Sequence, residues 1–322
     1  MSHHIPLEVI MSTQPSQHHV DVPGGRAYYE VRGSGPLLLV IGQPMTSAGF
    51  GPLADVLADD HTVVTYDPHG VGESTVDDPS LAVTPEIEAD DLAQIVDALN
   101  GQRADVFGSS GGAVAALAFA ARHPDKVGTV IAHEPPVAEL LPDAPYIRAV
   151  VDDVENAYRT DGTGAAWGKF VSLVMYDGQV TEDGVPPAAW PPPGADGEWA
   201  DGEWADGEGA DGEGADGEGA DAAGPPPEPS EKQRADDELF FIRMLKPFTR
   251  YEPPVDVLLS GQPRVIVAVG AASRGEVARR SADALAEQLG TSPVIFPGDH
   301  GGFMADPEGF ATTIRKVRAE SR

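Results

Sequence analysis

The chain has 322 residues, 41% of them hydrophobic, which is enough for one large globular domain with an insertion and is not the composition of a disordered polymer. Its net charge of −31 argues against nucleic acid or an anionic membrane as partner, because both are polyanions, and leaves a small molecule as the expected substrate. It has no cysteine, so a disulfide framework is excluded and the redox compartment leaves no mark on the sequence.

Residues 1–18 are polar and carry scattered histidines. They read as a disordered leader, with Met11 an alternative start and ordered chain from His19. No cysteine or carboxylate is spaced with these histidines as a ligand, so neither a metal nor a cofactor is expected there. No apolar run is long enough for a signal segment or a membrane span, so a soluble, cytoplasmic protein is expected. Residues 20–22 and 26–31 read as short strands around Pro23-Gly24-Gly25. Residues 37–41 are continuously apolar, as in a strand buried on both faces of a parallel sheet, and Gly42-Gln43-Pro44 follows. The same pattern at 62–66 leads into Asp67-Pro68-His69-Gly70-Val71-Gly72-Glu73-Ser74, a tight turn that Asp67 and Ser74 can tie to backbone. Thr84-Pro85-Glu86 then opens a helix whose apolar face is Ile87, Leu92, Ile95, Val96 and Leu99.

The apolar residues 104–107 run into Gly108-Ser109-Ser110-Gly111-Gly112 and the alanine-rich 113–121: a strand, a sharp turn and a helix, with Ser110 at the tip of a G-x-S-x-G pattern. A serine hydroxyl is a weak nucleophile until a base takes its proton and a third group orients that base. Ser109 is the neighbouring hydroxyl, but the pattern fits Ser110. A strand at 127–132 ends in His133-Glu134-Pro135-Pro136. Helical pieces follow at 145–158, 164–175 and 230–245, the last closing with aromatics that suit a substrate pocket or plain packing. Between them Ala195-Asp196-Gly197-Glu198-Trp199 recurs at 200–204, and then three times with Gly for Trp. Two negative charges per repeat and almost no apolar surface predict a disordered, dispensable loop over 191–229. Strands at 264–269 and 293–296 flank a helix at 276–289. The glycine-rich Pro297-Gly298-Asp299-His300-Gly301-Gly302-Phe303 precedes a last helix at 310–317.

In this order the motifs resemble those of the α/β-hydrolase superfamily. The turn at Asp67 is similar to the family's D-x-R-G-x-G-x-S, with His69 at the arginine position, and Gly42-Gln43-Pro44 to its His-Gly-x-Pro loop, with Ile41 at the histidine position. The resemblance spans nearly all of the chain from Val20 apart from the repeat. It implies an α/β fold, a mostly parallel doubly wound sheet with a core of residues 19–135 and 262–322 and a helical lid over 136–261. It also implies Ser110 as nucleophile, His300 as general base, and the backbone N–H groups of Gln43 and Gly111 as an oxyanion hole. Where the family commonly has an Asp, after strand 265–269, this chain has Gly270-Ala271-Ala272-Ser273, and Ser273 carries no charge. Some branches, haloalkane dehalogenases among them, carry the acid after the strand that follows the elbow helix, and Glu134 stands there. Glu134 could instead cap or salt-bridge the lid, and Asp283 is a weaker candidate acid in mid-helix. His133 would line the pocket or pack, His69 would pack the turn, and Asp299 would point away. The activity implied is hydrolysis of a carboxylic ester or lactone of a small apolar molecule through an acyl-enzyme, with no cofactor or metal. A cofactor-free haloperoxidase-like activity uses the same set, and a non-catalytic ligand-binding homologue is the reading from another class. Ser110 stands where dehalogenases and epoxide hydrolases have Asp, which argues against both. No oligomeric state follows from the sequence.

Overall fold

A computed structural model describes residues 14–99, 103–186, 229–260 and 262–320. The chain enters through an antiparallel pair, β1 (Ser16–Val22) and β2 (Gly25–Gly33), and then alternates strand and helix. β3 (Leu37–Ile41), α1 (Gly51–Leu57), β4 (Thr62–Tyr66), the short β5 (Thr75–Val76), α2 (Pro85–Ala98), β6 (Ala104–Ser109), α3 (Gly111–Arg122) and β7 (Val127–His133) follow in turn. Next come α4 (Ala144–Asp161), α5 (Thr163–Val174), α6 (Glu231–Glu238), a π-helical turn (Leu239–Met244), α7 (Leu245–Thr249) and α8 (Val255–Leu258). β8 (Arg264–Gly270), α9 (Val277–Gln288), β9 (Val294–Phe296), α10 (Gly302–Ala305) and α11 (Pro307–Ala319) complete the described chain.

The sheet order is β1-β2-β4-β3-β6-β7-β8-β9, with β5 on β2. Pairing is parallel from β4 through β9 and antiparallel at the β1-β2-β4 end. Each central strand sends alternate residues into two cores, which is why its sequence is apolar without a break. Leu39, Ile41, Val106, Val130 and Val267 join α2, α3 and α9 on one face. Leu38, Val40, Phe107, Ile131 and Ile266 join α1 and α11 on the other.

The elbow depends on close backbone approach between β3 and α3. A Cβ at Gly112 would lie 2.4 Å from the Ile41 carbonyl oxygen and 2.5 Å from the Gly42 Cα. Neither backbone can retreat without opening the sheet, so Gly112→Ala is expected to cost about 3 kcal/mol of stability, read from the urea midpoint.

Three sequence expectations are corrected. The ordered chain begins before His19: β1 starts at Ser16, because backbone pairing with β2 (Ser16 opposite Val31) orders an edge strand whose side chains are mostly exposed and polar, while residues 1–13 lie outside the described residues. Pro293 stays outside β9, since it has no N–H to give a ladder. The inward face of α2 is not purely apolar, for Glu88 and Asp91 are buried there beside Leu92 and Ile95.

Helices α4 to α8 fall within 136–261, and the acidic repeat lies outside the described residues. Ion pairs tie α4 to α7, with Lys246 Nζ 2.8 Å and Arg250 2.6 Å from Asp152 Oδ1, and Trp167 Nε1 donates across to Asp237 of α6 at 3.0 Å. Among the described residues no helix is long and apolar enough to cross a membrane.

Candidate active site

Ser110 sits between β6 and α3 at φ 54° and ψ −125°, a left-handed conformation that costs a non-glycine residue of order 1–3 kcal/mol. The turn is held by its surroundings: the Ser110 N–H donates to the His133 carbonyl at 3.0 Å. Glu134, directly after β7, has φ 48°. These two are the only non-glycine residues at positive φ among those described, and both carry chemistry-bearing side chains at strand ends in the middle of the sheet.

Glu134 meets the loop after β9. Its Oε2 lies 2.7 Å from His300 Nδ1, and its Oε1 accepts the Gly270 N–H at 2.8 Å. Burial pushes the Glu134 carboxyl up. The hydrogen bond and charge of His300, with smaller help from His133 and Ser273, overcome that and hold it at about 2. Glu134 is therefore an anion at neutral pH, with His300 Nδ1 committed to it. A neutral imidazole that donates from Nδ1 has Nε2 free as an acceptor. His300 and Ser110 line one cavity together with Gln43 and Gly111. A Cβ on Gly111 would lie 2.7 Å from Gln43 Cβ and 3.2 Å from the Gln43 oxygen, so the backbones of these two residues abut at the polar end of the cavity.

A family model described as the alpha/beta hydrolase fold matches residues 35–205, more than half of the chain. The chain is an α/β hydrolase. An uncharacterized hydrolase of Bacillus subtilis, YraK, is 28% identical over 292 residues, covering 88% of this chain and 89% of the relative. Among solved structures, a thermophilic esterase from Thermogutta terrifontis superposes with a TM-score of 0.67 at 19% identity, over 95% of this chain and 99% of that one. An enol-lactonase from Burkholderia xenovorans gives 0.61 at 16% identity, over 94% and 100%.

The remaining side chains singled out in the sequence of this hydrolase separate by position. Ser109 is buried, with its Oγ 3.0 Å from His133 Nδ1. His133 is enclosed by Phe107, Phe296 and Phe310, and burial, assisted by the neighbouring His300, pushes it down to about 4, so it is neutral. Asp283 is partnered with Arg279 at 2.9 Å on the surface of α9, with its side chain half exposed. Asp299 caps its own turn, accepting the Gly301 N–H at 3.0 Å. In the turn after β4, Asp67 accepts the N–H groups of Ser47 and Glu73 at 2.8 Å, while Ser74 Oγ donates to the Asp67 carbonyl at 2.8 Å. His69 packs there too, buried, with its Nδ1 2.7 Å from Asp91 Oδ2.

From Ser110 outward the cavity wall is apolar. Phe170 and Leu173 of α5, Phe240 and Met244 of the π-helical turn, Phe248 of α7 and Val277 of α9 are among the residues that form it. No Asp, Glu, Lys or Arg lines it, so it holds no counter-ion for a charged ligand. The π-helical turn places Phe240 and Met244 on the same wall, a spacing that the sequence pattern alone did not distinguish from α-helix. Among the described residues no three His, Cys, Asp or Glu side chains are grouped as a metal site.

Proposed function

We propose that this α/β hydrolase cleaves a small, uncharged carboxylic ester or lactone through an acyl-serine intermediate. The observation that carries the reading is that Ser110 and His300 line one cavity free of Asp, Glu, Lys and Arg while the buried, ionised Glu134 holds His300 Nδ1. His300 Nε2 takes the Ser110 Oγ proton as Oγ bonds to the carbonyl carbon. The carbonyl oxygen becomes an oxyanion, held by the N–H groups of Gln43 and Gly111 and by the positive end of α3. His300 returns the proton to the leaving alkoxide as the acyl C–O bond breaks. It then deprotonates water as that water attacks the acyl carbon, and returns the proton to Ser110 Oγ as the Oγ–acyl bond breaks and the carboxylic acid leaves. Glu134 orients His300 and stabilises its charged form.

Helices α4 to α8 serve as the lid, with α4, α5, the π-helical turn and α7 supplying much of the apolar wall. The fold likeness to an esterase and an enol-lactonase is compatible with this chemistry. The test is intact-mass labelling with a fluorophosphonate, followed by peptide mapping. One adduct per chain, located on Ser110 and absent from Ser109, is expected. A chain that takes no adduct would favour a ligand-binding role for the cavity.

A further inference from the structure

Behind the proposed oxyanion loop, the side chains of Gln43, Tyr66 and Glu88 form a buried hydrogen-bonded line that the reaction itself does not use, and the His69 backbone N–H joins it to a His69–Asp91 pair. Gln43 Nε2 donates to the Tyr66 hydroxyl at 3.3 Å, and Tyr66 donates to Glu88 Oε2 at 2.7 Å. The other carboxyl oxygen, Glu88 Oε1, accepts the His69 N–H at 3.0 Å, and His69 Nδ1 lies 2.7 Å from Asp91 Oδ2. The Gln43 amide also acts on the Glu88 carboxyl as a hydrogen-bond partner. Glu88 is completely buried, and Gln43, Tyr66, His69 and Asp91 are nearly so.

Two carboxyls on the core face of a helix are costly to desolvate, and an apolar residue at 88 would pack there without that penalty. What Glu88 does instead is anchor the far end of the Gln43 side chain to α2 and to the turn after β4. Burial and the neighbouring Glu88 charge push the Tyr66 phenol well up, so it remains a donor. The near end of Gln43 abuts Gly111 at the elbow.

We propose that Tyr66 and Glu88 are positioning residues: by holding the Gln43 side chain they fix the direction of the Gln43 backbone N–H at the oxyanion site. This rests on the serine-hydrolase reading above. A donor aimed at the position of the developing oxyanion contributes only while its direction is fixed, and the line Glu88-Tyr66-Gln43 replaces the mobility of an ordinary loop with a tether to the sheet and a helix.

The experiment measures 4-nitrophenyl acetate hydrolysis by the full chain and by Tyr66→Phe, Glu88→Gln and the double variant, with rates normalised to sites titrated with fluorophosphonate. Each single variant is expected to lower kcat about tenfold with KM within about twofold, since only the transition state is affected. The double variant is expected to be no worse than the poorer single one, because both break the same line. Unchanged kcat per titrated site in both single variants would overturn the positioning role and leave serine hydrolysis standing. Losses that multiply, or that fall on KM, would assign the two residues to packing and overturn it as well. A parent chain that neither labels nor turns over would remove the hydrolase reading and this inference with it. Should Tyr66→Phe fail to fold, Glu88→Gln decides through its kcat-against-KM split, because it keeps the side-chain volume and an acceptor for the His69 N–H.

Discussion

Ser110→Ala is expected to lower ester turnover by about 10⁴-fold or more, the scale of losing a nucleophile whose partners act as a unit. The substitution removes Oγ and nothing else that the elbow needs. Serine already occupies φ 54° there without the freedom of glycine, and the backbone bond from Ser110 N to His133 does not involve the side chain. The melting temperature should therefore stay close to that of the parent while fluorophosphonate labelling disappears. Any residual rate would come from water attacking within the proposed oxyanion site, whose backbone the substitution does not alter. Ser109→Ala provides the contrast: its hydroxyl points to His133 in the core, so turnover is expected to persist. Parent-like turnover in Ser110→Ala would remove the acyl-enzyme mechanism altogether.

Glu134→Gln is expected to lower kcat by about 10³- to 10⁴-fold, by the same logic that makes an amide a poor substitute for the acid of a triad. Both contacts of the carboxylate come from donors, the Gly270 N–H at 2.8 Å and His300 Nδ1 at 2.7 Å, and glutamine has one acceptor oxygen for the two. If the oxygen stays on Gly270, the amide NH₂ faces the imidazole. His300 then carries its proton on Nε2 and cannot take one from Ser110. An unchanged kcat would sink the assignment of Glu134 as the acid.

The same residue gives a pH dependence of stability. Its folded-state value of about 2 lies below the ordinary 4.5. At roughly 1.4 kcal/mol per unit this contributes on the order of 3 kcal/mol, fully present above pH ~4.5 and lost as pH falls toward 2. Urea unfolding followed from pH 7 down to pH 2 should show that loss below pH ~4.5 in the parent and a shallower one in Glu134→Gln.

The sequence by itself determined the strand and helix alternation, the elbow at Ser110 and the strand ends that carry Glu134 and His300. Apolar runs of five or six residues and glycines at close approaches are local properties, so they can be read without knowing what packs on them. The pairing of Glu134 with His300, 166 residues apart in sequence, was decided by the tertiary structure. Only the sheet order brings the end of β7 beside β8 and the loop after β9, and there Gly270 contributes a backbone N–H that no side-chain pattern encodes.

Glu88 and Asp91 show the same division. The apolar spacing of Leu92 and Ile95 made the inward face of α2 legible, but the burial of Glu88 and Asp91 on that face was not. Which hydroxyl and imidazole would satisfy them depended on β4 and the turn after it packing against that face, because the partners of a buried charge are set by three-dimensional neighbours and not by helical periodicity.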